Sequence, residues 1–230
     1  MSRSATLHSP LARRWQATTA MLAWRWRTHR LAWFKRGCDI AVAVVALLAL
    51  APLLAAVALA IKLYDRGPVL FWQQRVGRHG VRFAFPKFRS MCVDAEARLA
   101  ALRERNQHGQ DGVTFKMKHD PRITPVGRLI RRTSIDELPQ LWSVLRGDMS
   151  LVGPRPALVS EVQRYELAHR ERLLVTPGLT CIWQVSGRGE VPFAQQLEMD
   201  LDYIRNRSIG LDLKLLALTL PAVVGGRGAY

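Results

Sequence analysis

The chain contains one long apolar segment, Ile40-Ala-Val-Ala-Val-Val-Ala-Leu-Leu-Ala-Leu-Ala-Pro-Leu-Leu-Ala-Ala-Val-Ala-Leu-Ala-Ile61. It carries no charge and is long enough to cross a bilayer as a helix. Pro52 lies near its middle, where it removes a backbone hydrogen bond and clashes with the preceding turn. Basic residues flank both ends, Lys35 and Arg36 before the segment and Lys62 and Arg66 after it. The positive-inside rule therefore favours moving neither end across the membrane.

Two interpretations of this segment stay open. One is a kinked helix that spans the bilayer. The other is a re-entrant helix hairpin, broken at Ala51-Pro52, that enters one leaflet and returns. Each arm of the hairpin would have about 11 residues and a length of roughly 16 Å, which matches the depth of one leaflet.

The charge of the chain favours anionic partners. Among 230 residues, 34 Lys and Arg oppose 18 Asp and Glu, which gives a formal charge of +16. Nucleic acid, anionic membrane lipid and phosphorylated substrates all fit this charge. Residues 1–34 contain no acid and interleave arginines with tryptophans, a composition typical of the lipid headgroup zone, although a disordered basic tail is an alternative.

Cysteine and histidine spacing excludes two classes of protein. Cys38, Cys92 and Cys181 form no CxxC pair, so neither a disulfide framework nor a zinc site is predicted. The six histidines show no metal-binding pattern. Reduced thiols fit a domain that faces the cytosol.

The remainder of the chain predicts one α+β domain, mostly helical with a small β-hairpin. Strands are expected at Val69–Gln73 and Val81–Phe85, and a third at Leu179–Val185. Apolar residues recur at helical spacing in several segments. The predicted helices are Asp94–Arg105, one that begins near Asp136 and contains Leu138 to Leu145, Leu158–Leu174, and a C-terminal helix at Leu211–Leu220 that belongs either to the core or to the membrane interface. Asn106–Gly112 is expected to be a loop.

The candidate catalytic residues are Asp136 and Glu137, which stand among arginines. Adjacent side chains on a helix point about 100° apart, so one carboxylate could react while the other holds a cation. The alternative is a helix start, because Ser134 and Glu137 match a capping box. Pro139 disfavours Ser134 as the cap and favours Asp136 itself.

Arginines and two short motifs supply candidate phosphate ligands. Arg155 lies in Gly153-Pro-Arg-Pro156, where two prolines restrict the backbone, although an ordinary turn has the same composition. Guanidinium groups form paired, charge-assisted bonds to phosphate. Two further segments are weaker candidates, each of which is also compatible with ordinary surface: Lys87-Phe-Arg-Ser-Met91 and Gln184-Val-Ser-Gly-Arg188.

Several motifs, in this order, resemble those of the bacterial sugar transferases, the monotopic phosphoglycosyl transferases that start polysaccharide and glycoconjugate assembly. The resemblance runs from Lys35 to Tyr230. The motifs are Lys35-Arg-Gly-Cys-Asp39, Lys87-Phe-Arg-Ser-Met91, Arg131-x4-Asp-Glu-Leu-Pro-Gln140, Gly147-Asp-Met-Ser-Leu-Val-Gly-Pro-Arg-Pro156, Pro177-Gly-Leu-Thr180 and Trp183-Gln-Val-Ser-Gly-Arg188. Ala51 departs from the family, which has serine before the proline.

The resemblance implies transfer of sugar-1-phosphate from a UDP-sugar to polyprenol (undecaprenyl) phosphate, with release of UMP. It implies that Asp136 is the nucleophile, forming an aspartyl-phosphosugar, and that Glu137 is a Mg²⁺ ligand. It also implies a re-entrant helix at Ile40–Ile61. The substrate-binding residues that we expect from the motifs are Lys35, Arg36, Lys87, Arg89, Arg131, Arg155, Gln184 and Arg188.

The expected organisation is a basic extension (1–34), a membrane helix (35–66) and a cytosolic catalytic domain (67–230) on the bacterial inner membrane. A partner nucleic acid is not expected. A non-catalytic, membrane-tethered basic binding module and a silent scaffold stay as alternatives, although neither explains an intact acidic pair among arginines. The transferred sugar and the oligomeric state stay open, with a homodimer as one candidate.

Overall fold

The structure, a computed structural model, describes residues 10–102, 117, 120–187 and 190–225. The predicted loop Asn106–Gly112 and the candidate ligand Arg188 lie outside the described residues. The chain divides into two compact units, one that ends at Cys38 and one that begins at Asp39.

The first element is a helix, α1, which runs from Pro10 to Asp65 with Pro52 inside it. The predicted interruption at Ala51-Pro52 is therefore wrong at the level of secondary structure. A proline removes one helical hydrogen bond, and the alanines and leucines around it are strong helix formers that keep the flanking turns helical. From Leu31 to Asp65 the helix is long and apolar enough to cross a membrane, and only 11% of its most apolar window is buried.

A β-hairpin follows, which confirms the prediction. β1 (Leu70–Val76) pairs antiparallel with β2 (Arg82–Phe88), and Phe83 and Phe85 of β2 point into the core. Gly80 has φ 78° in the connecting turn, where a glycine avoids the steric cost of a positive φ. β4 (Ala157–Leu158) pairs with the other edge of β1 and gives the order β2-β1-β4.

Helices and a second, smaller sheet complete the fold. Thr124 caps α3 (Pro125–Arg132), accepting a hydrogen bond from the amide of Gly127, and Gly147 ends α4 (Leu141–Arg146) with φ 94°. β3 (Ser150–Val152) and β5 (Gly178–Thr180) form a separate parallel pair. The bounds are α2 Ala95–Leu102, α3 Pro125–Arg132, a 3₁₀ segment Ile135–Gln140, α4 Leu141–Arg146, β3 Ser150–Val152, α5 Val159–Val162, a 3₁₀ segment Ala168–Leu174, β5 Gly178–Thr180, α6 Ile182–Ser186, α7 Phe193–Asn206 and α8 Ile209–Gly225.

Two predicted elements are wrong. Leu158–Leu174 is not one helix, because Leu158 belongs to β4 and Arg172 turns inward to a buried acid on α7. The predicted strand Leu179–Val185 stops at Thr180, where its pairing with β3 ends, and α6 follows. In both cases a contact made far away along the chain overrides the local apolar pattern.

The main core joins α1 to the hairpin and the C-terminal helices. Ala43 of α1 packs there with Phe85, Val144 and Leu215, and a second cluster joins Val57 and other residues of α1 to Phe88 and Ile130. α8 contributes Leu215 to the core, whereas its Leu213 and Leu220 are exposed, so the core prediction is confirmed and a place at the membrane interface stays a prediction. The coarse prediction of a mostly helical α+β fold is confirmed.

Candidate active site

A cavity of about 820 Å³ brings seven of the predicted site residues together. The elements that supply them are far apart in sequence: the end of β2, α3, the 3₁₀ segment after α3, the loop between β3 and β4, and α6. The seven residues that line the cavity are Lys87, Arg89, Arg131, Asp136, Glu137, Arg155 and Gln184. The cavity also has apolar lining residues, which include Leu70, Leu179, Leu216 and Val223.

The acidic pair lies in the first turn of the 3₁₀ segment, not on an α-helix. Ser134 precedes it with φ 55° and makes no side-chain cap, so the capping-box alternative is wrong. The segment begins at Ile135, so Asp136 lies within its first turn and is not the cap. A 3₁₀ helix has three residues per turn, which separates the directions of neighbouring side chains even more widely than an α-helix does.

Glu137 is neutralised by two cations. Its Oε1 accepts hydrogen bonds from Lys87 Nζ and from Arg155 Nη2, each at 2.7 Å. Burial opposes ionisation of this carboxyl, but the charges of Arg155 and Lys87 outweigh it and hold its pKa well below the usual range. Glu137 is therefore a permanent anion at neutral pH, and it orients both cations.

Asp136, unlike Glu137, has no direct contact with a cation among the described residues. Its side chain is buried, and within the described part of the chain no hydrogen bond or ion pair engages its carboxylate. Burial raises its pKa to about 6, with Lys87 acting against the shift and Glu137 adding to it. A weakly solvated carboxylate without fixed partners, lining a cavity, is well suited to act as a nucleophile.

The loop that carries Arg155 is held by its main chain. Gly178 donates its amide to the carbonyl oxygen of Pro154 at 2.8 Å, and Arg75 Nη1 donates to that of Pro156 at 3.0 Å. The Arg155 guanidinium carbon lies 5.8 Å from the centre of the Trp183 ring, in cation–π range. The loop is thus fixed on both sides of the arginine, as its two prolines predict.

The other predicted ligands have different surroundings. Arg89 lines the cavity, but its guanidinium forms an ion pair with Asp65 at the end of α1. Arg131 also lines the cavity, and its charge helps to lower the pKa of Asp136. Lys35 and Arg36 belong to the unit that ends at Cys38, whereas the cavity belongs to the other unit. The substrate-binding roles of all these residues stay predictions.

Sequence reasoning missed the residues that support Arg155. Arg75, the last but one residue of β1, gave no signal, because a basic residue in a partly exposed hairpin strand needs no buried partner. Burial and the charge of Arg155 lower the pKa of Arg75 to about 10.

Comparison with the sequences of known proteins assigns the chain to a family. The model of the bacterial sugar transferases matches residues 30–226. The chain belongs to the bacterial sugar transferase family. It is 39% identical over 198 residues to the exopolysaccharide production protein ExoY of Sinorhizobium fredii, an alignment that covers 85% of this chain and 88% of the relative.

Other members of the family that resemble the chain are longer. It is 49% identical to the galactosyl transferase CpsE of Streptococcus agalactiae, over 72% of this chain and 36% of the relative. It is 42% identical to the undecaprenyl-phosphate galactose phosphotransferase of Salmonella typhimurium, over 85% of this chain and 41% of the relative. The chain thus spans well under half the length of these two family members.

Proposed function

We propose that this chain transfers sugar-1-phosphate from a UDP-sugar to undecaprenyl phosphate, the first step of an exopolysaccharide or related glycan. The names of relatives support this substrate pair, since they include undecaprenyl-phosphate galactose and glucose phosphotransferases. The observation that carries the proposal is the contrast within the acidic pair: Glu137 is fixed by two cations, whereas Asp136 is unpaired among the described residues. That contrast separates a nucleophile from a structural anion.

In the first step, an Asp136 carboxylate oxygen attacks the phosphorus bonded to the sugar. The bond from that phosphorus to the bridging oxygen breaks, and UMP leaves with the electron pair. In the second step, a phosphate oxygen of the lipid attacks the same phosphorus and releases Asp136 as a carboxylate. Splitting the transfer in this way lets a soluble donor and a lipid acceptor use one carboxylate in turn.

The cations beside Glu137 are placed to bind the phosphates. Arg155 and Lys87 reach the cavity and carry positive charge next to the nucleophile. Guanidinium and ammonium groups offset the negative charge that grows on the leaving phosphate. In the same cavity, the apolar walls offer a surface for the first isoprene units of the acceptor.

The donor set of the site fits Mg²⁺ shared with substrate phosphates. Among the described residues no cluster of three or more acidic, cysteine or histidine ligands exists, so an all-protein cage is absent there. Mg²⁺ uses one or two carboxylates plus phosphate oxygens, and Glu137 Oε2 has only a 3.4 Å contact from Arg155. Glu137, with Asp136 beside it, would hold the ion, which would supply charge neutralisation at the diphosphate.

The contacts of α1 support a re-entrant, monotopic arrangement. Before Pro52, Asp39 accepts a hydrogen bond from Ser150 Oγ at 2.7 Å. After Pro52, Ile61 packs with Phe88 and Ile130. Both ends of the apolar segment therefore contact the same body, which supports a placement of both ends on one side of the membrane. The free cysteines fit the cytoplasmic side.

The test is release of UMP from UDP-sugars by the purified protein with undecaprenyl phosphate and Mg²⁺. We expect Asp136→Asn to abolish release and to prevent labelling of the polypeptide by a donor radioactive in its sugar-linked phosphate. Asp202→Asn, a matched change at an exposed position on α7, should leave the rate unchanged. Undiminished turnover by Asp136→Asn would reject the assignment. A panel of UDP-glucose, UDP-galactose and N-acetylated donors identifies the sugar.

A further inference from the structure

Behind Arg155 lies a buried ion pair that the proposed mechanism does not use. Arg172 Nη2 lies 2.6 Å from Asp200 Oδ2, and the two side chains are 5% and 0% exposed. The same Nη2 donates a hydrogen bond to the main-chain carbonyl oxygen of Arg155 at 3.0 Å, and Nη1 donates to the hydroxyl of Tyr165. Arg172 thus holds the backbone of the one residue in the loop whose side chain reaches Glu137.

Asp200 is the partner of Arg172 in this pair. Burial raises the pKa of Asp200 to about 6, while the charge of Arg172 stabilises its ionised form. The buried carboxylate therefore reaches Arg155 through the residue that holds its backbone.

A second buried Arg–Asp pair holds a different part of the chain. Arg122 and Asp120 are almost equally buried, with side chains 7% and 5% exposed. In addition to Asp120, Arg122 reaches the carbonyl oxygen of Ala95 at the start of α2, so this pair joins α2 to the segment before α3. Burying an ion pair brings little net stability, because desolvation offsets the attraction. The difference between the pairs is thus what each one holds in place.

We propose that Arg172 and Asp200 are positioning residues that set the orientation of Arg155 toward the substrate phosphates. The inference rests on the proposed function for the identity of that substrate. The positioning itself follows from the contacts of Arg172. Without them, the carbonyl of Arg155 loses its donor and the guanidinium gains freedom to leave Glu137.

The experiment is a double-mutant cycle of Arg172→Lys with Arg155→Lys, measured as kcat/KM for UMP release. Lysine keeps the charge beside Asp200 but cannot reproduce both guanidinium contacts. In the wild-type background we expect Arg172→Lys to lower kcat/KM by about 10- to 100-fold, the cost of a misplaced catalytic contact. In the Arg155→Lys background the further loss should be within about two-fold. Equal losses in both backgrounds would overturn the inference, because a general loss of structure acts independently of Arg155.

Asp120→Asn and Asp200→Asn are matched changes in the two buried pairs. Both are expected to lower the Tm, but only Asp200→Asn should lower kcat/KM beyond two-fold, approximately the limit of independent effects. Equal kinetic losses in the two variants would contradict a specific role for Asp200.

Hydrogen exchange separates this inference from the proposed function. The peptide that contains Gly153–Leu158 should exchange faster in Arg172→Lys than in the wild type, and should be unaffected in Asp120→Asn. Unchanged exchange in Arg172→Lys would overturn the positioning role whether or not UMP is released. A wild-type protein that releases no UMP, with faster exchange in the variant, would instead reject the function and keep the positioning.

Discussion

At the scale of single residues, Asp136 and Glu137 have the same chemistry and opposite behaviour. Both are removed from water, which by itself favours the protonated carboxyl. Glu137 gains two direct cation contacts at 2.7 Å, whereas Asp136 feels the same cations only at a distance. The pKa of one carboxyl therefore falls and that of the other rises, which is how a site obtains two roles from neighbouring acids.

The raised pKa of Asp136 predicts how activity depends on pH. As the proposed nucleophile, Asp136 must be ionised, and its pKa in the free protein is about 6. We expect kcat/KM for UMP release to rise about tenfold per pH unit below that value and to level off above it. Initial rates between pH 4.5 and 8 test this. A profile that is flat down to pH 4.5 would show that Asp136 has an ordinary pKa or is not the nucleophile.

The same shift predicts a change in stability. A carboxyl whose pKa is raised by folding stabilises the protein below its unfolded pKa, and this contribution is lost as the pH rises through about 6. Asn cannot ionise, so Asp136→Asn should raise the free energy of unfolding by about 3 kcal/mol at pH 7.5 and by much less near pH 4. Thermal unfolding in detergent at the two pH values measures this. The exposed Asp202→Asn should show no such difference, and a lower Tm for Asp136→Asn at pH 7.5 would contradict the prediction.

At the scale of elements, the short parallel pair β3–β5 positions the arginine loop. A Cβ added at Gly178 would lie 2.0 Å from the amide nitrogen of Gly153, so the two strands can approach this closely only with glycine there. The loop that carries Arg155 leaves the sheet at this point, and any separation of the strands displaces it.

We therefore expect Gly178→Ala to destabilise the protein by about 1–3 kcal/mol, the usual cost of overpacking, and to lower kcat/KM. The matched control is Gly210→Ala in α8, where an added Cβ meets nothing within 4 Å. That change should leave activity intact and keep or slightly raise the Tm, because alanine favours a helix over glycine. Chemical denaturation and UMP release measure both effects. Wild-type kinetics in Gly178→Ala would show that the close approach is not needed.

At the scale of the whole molecule, contacts at both ends of the apolar segment of α1 support the proposed topology. Asp39 is held by β3 through Ser150 and the amide of Leu151, and Asp65 is paired with Arg89 just after β2. A helix that crossed the bilayer would put about 30 Å of hydrocarbon between these two positions, so their contacts with the same body favour the monotopic proposal.

The native cysteines report this topology. Cys38 precedes the apolar segment, Cys92 follows it, and Cys181 is buried. A membrane-impermeant maleimide should label Cys38 and Cys92 in inverted membrane vesicles and leave both unlabelled in intact spheroplasts. Cys181 should react only after denaturation, since it is fully buried. Labelling of Cys38 and Cys92 from opposite sides would establish a spanning helix and reject the monotopic proposal.

Much of the fold was accessible from local patterns, and the errors have two causes. The hairpin and the helix after the acidic pair are encoded by short-range periodicity and turn residues, and the structure confirms them. The predicted helix at Leu158–Leu174 failed because its residues take partners elsewhere: Leu158 on β1, and Arg172 on α7. The predicted helix break at Pro52 failed for a local reason, since one lost hydrogen bond did not outweigh the surrounding helix formers.

Residue order alone was enough to predict the family, a long apolar segment and the residue types of the site, because motifs, charge and apolar length are properties of the chain read in order. It identified Asp136, Glu137, Lys87 and Arg155 as candidates without showing that they meet. The folded structure was needed to show which acid is neutralised and which is left unpaired among the described residues, and that Arg172 supports the arginine loop. Ionisation and orientation depend on distances between atoms, and only folding brings Lys87 to Glu137, which lies 50 residues further along the chain.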